Sequence, residues 1–157
     1  MVKNEARILG IDDSPFDKFK DKEVLIIGTF FRGGSSLDGV MSTTAAVDGT
    51  DATAKIIRMV KKSKFYTQLR AIMLNGIAVG GFNVIDIQKL GAATKIPVIV
   101  VMRSYPEVGK IKSTLARLGM KGKVKLIGKA GEIRRAGRVY IQLSGCSLEK
   151  ARELLKI

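Results

Sequence analysis

Apolar residues arrive in short blocks along this chain, and the blocks change period from strand-like to helix-like and back. Arg7-Ile8-Leu9-Gly10-Ile11 is an apolar run that ends in Asp12-Asp13. Such a run predicts a buried strand whose terminal carboxylates sit at the rim of a sheet. A charged loop with Pro15 follows, and Glu23 to Phe31 predicts a second strand. Arg32-Gly33-Gly34-Ser35-Ser36 has turn chemistry, and the β-branched segment Val40 to Val47 predicts a third strand returning as a hairpin. Ile56, Ile57 and Val60 then recur at helical spacing, with Thr50 or Asp51 as N-cap and an end near Lys64.

The rest of the chain alternates. Leu69 to Leu74 predicts a buried strand closed by Asn75-Gly76, and a glycine-rich loop leads to a helix over about 83–94. Pro97 to Met102 predicts a further buried strand. Pro106 opens a helix that buries Val108, Ile111, Leu115 and Leu118 and stops at Gly119. Val124 to Ile127 predicts a short strand inside a basic stretch, Arg138 to Leu143 a late strand, and Ser147 caps a last helix. Three strands that can pair antiparallel, followed by βαβ units, predict an α/β fold: a mixed sheet of ribonuclease H-like order with helices on both faces. We expect one domain over residues 1–157.

Composition narrows the chemistry. The 157 residues contain no histidine and one cysteine, Cys146. That excludes Ser-His-Asp and Cys-His catalysis, intrachain disulfides, and zinc or iron-sulfur sites built from histidine or several cysteines. Carboxylates holding a hard cation become the leading candidate. The polar N-terminus, Met1-Val2-Lys3-Asn4-Glu5-Ala6-Arg7, does not read as a signal peptide, and no apolar run would span a membrane; a cytoplasmic location is expected.

Charge is uneven. Residues 1–53 carry 9 acids and 6 bases, net −3, whereas residues 54–157 carry 5 acids and 22 bases, net +17. An acidic centre inside a basic rim suits a polyanion bridged by a cation, although lysine-rich surfaces also serve solvation alone. In a ribonuclease H-like order, Asp12, Asp51 and Asn75 fall at the end of the first strand, the start of the first helix and the end of the fourth strand.

The residues also resemble a family. Gly10-Ile11-Asp12-Asp13-Ser14-Pro15-Phe16, Val47-Asp48-Gly49-Thr50-Asp51-Ala52-Thr53 and the long segment Met73 to Asp86, containing Leu74-Asn75-Gly76-Ile77-Ala78-Val79-Gly80-Gly81-Phe82-Asn83, are similar to the archaeal endonuclease dU family. That family is in turn similar to endonuclease V, a magnesium-dependent nuclease with a ribonuclease H-like fold. The resemblance implies nicking of DNA at deoxyuridine. It also places Arg103, in Ile96 to Ser104, where endonuclease V has an active-site lysine. Ser144 to Glu149 resembles the start of that family's last helix, where it has a histidine, and Asn75 stands where it has an aspartate.

The candidate site follows. Asp12, Asp51 and the Asn75 oxygen would hold Mg²⁺ or Mn²⁺, with Asp13, Asp48 and Asp86 as further ligand candidates and Arg103 on a phosphate. Each has an ordinary alternative. One of Asp12 and Asp13 can cap the following loop, Asp51 the first helix, Asp48 can form a turn, Asp86 can face water from a helix, and Arg103 can make a rim salt bridge. Gly76, Gly80, Gly81, Phe82 and Asn83 are candidates for receiving a base, or else they turn the chain and fill the core. Lys121, Lys123, Lys125, Arg134, Arg135 and Arg138 form a candidate phosphate track. The expected partner is DNA, with single-stranded DNA or RNA as alternatives. The rival to a nuclease is a nucleic-acid-binding protein that keeps the fold without catalysis.

Overall fold

A computed structural model describes residues 3–157; Met1 and Val2, the start of the polar N-terminal stretch, lie outside the described residues. Strands β1 (Arg7–Asp13), β2 (Glu23–Arg32) and β3 (Ser36–Ala46) form the antiparallel meander that the first three apolar blocks predict. Helix α1 (Ala52–Lys62) then carries the chain across one face to β4 (Leu69–Asn75), which pairs parallel to β1. A two-stranded hairpin, β5 (Ala78–Val79) and β6 (Asn83–Val84), precedes α2 (Ile87–Thr94) and β7 (Val98–Met102), which is parallel to β4. Helices α3 (Val108–Arg117) and α4 (Lys121–Lys129), the hairpin strands β8 (Arg134–Ala136) and β9 (Val139–Ser144), and α5 (Leu148–Leu155) complete the order. The seven-stranded sheet runs β3-β2-β1-β4-β7-β9-β8.

The two faces of the sheet are filled by opposite parities of the same strands, as a period of two requires. Leu9 and Ile11 of β1, Ile72 and Leu74 of β4, and Val98 and Val100 of β7 pack with Ile56, Val60, Ile87 and Leu90 of α1 and α2. Ala71 and Ile99 face the other way and join Ile141 beneath Ala151 and Leu154 of α5, with Ile8 at the edge of that cluster. Helices therefore cover both faces. A third cluster, Val84, Leu115 and Ile127, binds α3 and α4 to the β5–β6 hairpin.

Three local expectations are corrected. Val124 to Ile127 is not a strand but part of α4. Four apolar residues are too few to distinguish periods, and Lys123 and Ile127, one helical turn apart, are the buried pair. The helix expected over 83–94 starts only at Ile87, because Asn83 and Val84 pair with Val79 and Ala78 and Asp86 is the N-cap. The last strand is antiparallel to β7 rather than the end of another βαβ unit. Two helices and a hairpin turn at Gly137 intervene, and the hairpin delivers β9 from the opposite end.

Phe30 anchors the meander, fully buried against α1 and 5.2 Å centroid to centroid from Phe65. Phe30→Ala is expected to cost about 3–5 kcal/mol, read as a lower urea midpoint at unchanged m-value.

Candidate active site

Helix α5 packs over the early part of β1, β4 and β7 and leaves the carboxyl end of that face open. The result is a groove of about 550 Å³ whose lining includes Asp12, Asp13, Asn75, Val101, Arg103 and Thr29. It lies over the carboxyl-terminal halves of the parallel strands β1, β4 and β7, at the end of the sheet where open α/β sheets bind ligands.

Asp12 is exposed in this groove and held from two sides. Its Oδ1 accepts the Asp13 N–H at 2.8 Å, and its Oδ2 accepts Asn75 Nδ2–H at 2.9 Å. Asn75 is therefore a donor to Asp12, leaving its own carbonyl oxygen as a neutral ligand. Arg103, just beyond β7, is also exposed and lines the groove. The structure thus brings together Asp12, Asn75 and Arg103 from three adjacent strands.

Asp13 points the other way, as the neighbour of Asp12 on an extended strand must. Its Oδ2 accepts the Gly80 N–H at 2.7 Å. Partial burial pushes the Asp13 carboxyl above the usual range, against the lowering effect of the Gly80 N–H, and the Asp12 carboxylate beside it adds to the rise. The same loop is gripped by Asp48, whose N–H donates to Gly80 O at 2.8 Å and whose Oδ1 accepts the Phe82 N–H at 2.8 Å. Here glycine is required. A Cβ on Gly80 would lie 2.7 Å from Val24 Cγ1, one on Gly81 2.4 Å from Asp48 Oδ1, and both glycines have positive φ. Asp48 itself holds φ at +53°, an unusual conformation for a residue with a side chain.

Asp51 occupies the N-cap position of α1 but makes no side-chain capping bond. Its Oδ1 instead accepts the Ala46 N–H at 3.0 Å and Asn83 Nδ2–H at 2.8 Å. Asn83 is completely buried. Its amide also donates to Ala46 O, and its oxygen accepts the Ala52 N–H. Burial alone would raise the Asp51 carboxyl, but the Ala46 and Asn83 donors hold it below the usual range. This pair braces the β3–α1 junction to the β5–β6 hairpin, and Asp51 is absent from the groove that holds Asp12. Asp86 caps α2 through Lys89 N–H and pairs with Lys129 at 2.9 Å. Its burial raises the carboxyl, and the Lys129 and Lys89 donors outweigh it. Among the described residues, no group of three or more His, Cys, Asp or Glu side chains is placed to hold a metal ion.

The expected base and phosphate contacts separate as well. Phe82 is half-buried against the α3–α4 cluster, with Lys18 Nζ 5.2 Å from its ring centroid. Gly76 borders open space. Lys123 is only 7% exposed, its Nζ donating to Asp48 O at 2.6 Å. Burial depresses its ammonium, and Asp48 counteracts this. Lys121, Lys125, Arg134, Arg135 and Arg138 remain exposed on α4 and the β8–β9 hairpin, Arg134 beside Glu132.

With the geometry in place, comparison with known proteins becomes decisive. The family model for endonuclease dU matches residues 4–157. The chain belongs to the endonuclease dU family. It is 47% identical over 161 residues to an archaeal UPF0215 protein of Methanothermobacter thermautotrophicus, covering 99% of this chain and 79% of that relative. Among solved structures, a protein of unknown function from Archaeoglobus fulgidus superposes with TM-score 0.89 at 43% identity, over 96% of this chain and 84% of the other. Endonuclease V of Ciona intestinalis, in complex with a 24mer DNA containing an inosine followed by a ribo-adenosine, superposes with TM-score 0.59 at 14% identity, covering 96% and 77%. The fold of this family member is that of endonuclease V, a nuclease fold. No helix among its described residues is long and apolar enough to cross a membrane.

The Asp51 brace has a measurable signature. Asp51→Ala strands the Ala46 N–H and part of Asn83, and is expected to lower stability by about 1–3 kcal/mol at neutral pH. A carboxyl held low in the folded state contributes its stability above the unfolded pKa of about 3.9 and loses it as pH falls through the lower folded value. The stability difference between wild-type and Asp51→Asn should therefore be full at pH 6 and shrink below about pH 4 in urea titrations.

Proposed function

We propose that this family member is a divalent-metal-dependent endonuclease that nicks DNA at or near deoxyuridine. The observation that carries the reading is the Asp12–Asn75 pair in an open groove, with Arg103 on the next strand. Asp12 supplies a carboxylate and Asn75 an amide oxygen, while the Asp13 carboxylate is turned to the Gly80 N–H. That donor set fits Mg²⁺ or Mn²⁺, since Mg²⁺ is commonly held by one or two carboxylates and completes its shell with water and substrate phosphate. When bound, the cation would lower the pKa of an attacking water and offset charge gathering on the phosphate.

The side chains have separate tasks. Asn75 and the Asp13 N–H fix the Asp12 carboxylate, so its orientation is set before substrate arrives. Arg103 pairs with a non-bridging phosphate oxygen and stabilises the charge of the transition state. The exposed bases of α4 and the β8–β9 hairpin track the flanking phosphates, giving strong salt dependence. A uracil-containing or mismatched site is easier to unpair than a regular one, which supports selection of deaminated positions.

A second reading is favoured by Asn75 itself. With one acid fewer at the groove, the protein would bind nucleic acid on a nuclease fold without cutting it, and chelator would leave binding unchanged.

Purified protein with Mg²⁺ is expected to nick a deoxyuridine-containing oligonucleotide and to stop on addition of EDTA. Asp12→Ala should reduce the rate more than about 100-fold, and Asn75→Ala about 10- to 100-fold through loss of Asp12 positioning. Equal nicking by wild-type and Asp12→Ala would remove the site assignment, and binding without nicking in Mg²⁺ or Mn²⁺ would favour the second reading. Asn75→Asp brings a second carboxylate against Asp12 and should tighten Mn²⁺ binding about tenfold or more by calorimetry.

A further inference from the structure

The loop between β1 and β2 leaves the sheet immediately after Asp13 and is closed at its base by Ser14 N–H to Leu25 O at 2.9 Å. At its tip Phe19 is 94% exposed; among the described residues the next most exposed large apolar side chain is Tyr105, at 61%. Single apolar side chains on a surface are ordinary. What sets Phe19 apart is how it is presented. Asp17 Oδ1 accepts the Phe19 N–H at 2.9 Å, Asp17 N–H donates to Asp21 Oδ2 at 2.7 Å, and the Lys20 and Asp21 N–H groups both donate to Asp17 O.

Both acids of the loop are thereby occupied in shaping the turn. Lys18 Nζ reaches over the Phe82 ring and ties the loop to the β5–β6 hairpin, while Lys20 and Lys22 remain exposed on either side of Asp21. The loop offers an unburied aromatic ring with lysines on both sides, at the same end of the sheet as Asp12, Asn75 and Arg103.

We propose that Phe19 stacks on an unpaired base of a single-stranded or locally opened nucleic acid while Lys20 and Lys22 hold its phosphates. This rests on the nucleic-acid reading above and names the ring that would serve it. An aromatic with two side-chain torsions on a pre-set turn loses little freedom on stacking, and every base offers a π-face, so the contact needs no particular sequence. Phe82, the aromatic that the glycine loop suggests, is half-buried in the α3–α4 cluster and capped by Lys18. Phe19 is free.

The chain has no tryptophan, so Phe19→Trp places a single tryptophan at the loop tip, which can be excited selectively over the three tyrosines. Leu37→Trp, at the start of β3, serves as a control on a different part of the sheet. Titration with a single-stranded deoxyuridine-containing 15-mer is expected to quench the Phe19→Trp emission by about half and leave Leu37→Trp unchanged. In anisotropy with the labelled 15-mer, Phe19→Ala should bind about tenfold more weakly and Phe19→Tyr within about twofold of wild-type. Tight wild-type binding with unquenched Phe19→Trp, or unchanged affinity of Phe19→Ala, overturns this inference and leaves the nuclease reading standing. No binding by wild-type overturns both. A blue shift of the Phe19→Trp emission with anionic phospholipid vesicles, and no response to oligonucleotide, would assign the loop to a membrane and overturn the inference.

Discussion

Consecutive residues of an extended strand project to opposite faces, and at the end of β1 those residues are two aspartates. Asp13 is turned toward the hairpin side, where it holds Gly80. Asp12 is turned toward the groove, where it meets Asn75. The alternation that packs Leu9 and Ile11 against α1 and α2 therefore divides adjacent carboxylates between the hairpin and the groove. The hairpin gripped by Asp13, Asp48 and the Asp51–Asn83 brace stands on one side of the strand end. The open groove lies on the other.

In the Asp12–Asn75 contact the amide donates to the Asp12 carboxylate. Two carboxylates in hydrogen-bond contact could not both stay ionised without a cation between them, whereas an amide donor pins Asp12 at no such cost. The groove keeps the Asp12 carboxylate fixed in direction. The charge asymmetry of the sequence is also spatial: Asp12, Asp13, Asp48 and Asp51 lie at or just beyond the ends of β1 and β3, and exposed bases lie on α4 and the β8–β9 hairpin. Lys123 is the exception. It is spent on the Asp48 carbonyl and locks α4 to the strained turn that grips the glycine loop.

Much of the fold could be read from periodicity, because β1, β2, β4 and β7 are apolar blocks bounded by turn residues and β3 is a β-branched segment after a glycine turn. The convergence of Asp12, Asn75 and Arg103 was equally legible, since all three end neighbouring strands. Asp51 was not, because a helix-cap position fixes the backbone and not the partner of the side chain: its carboxylate turned to Ala46 and Asn83. Nor was the burial of Asn83, whose donors and acceptor are consumed by contacts 31 to 37 residues away. Val124 to Ile127 was too short for its period to show. Phe19 gave one signal, an aromatic between two lysines in a loop, but only the fold reveals that nothing covers it.

The central claim is that Asp12, and not Asp51, anchors the cation. Crystals soaked in Mn²⁺ and measured at the manganese edge test it directly. The account predicts an anomalous peak about 2.0–2.2 Å from an Asp12 carboxylate oxygen, on the side of the groove shared with Asn75 and Arg103. A peak on Asp51 and Asn83, or none at millimolar Mn²⁺, would contradict it.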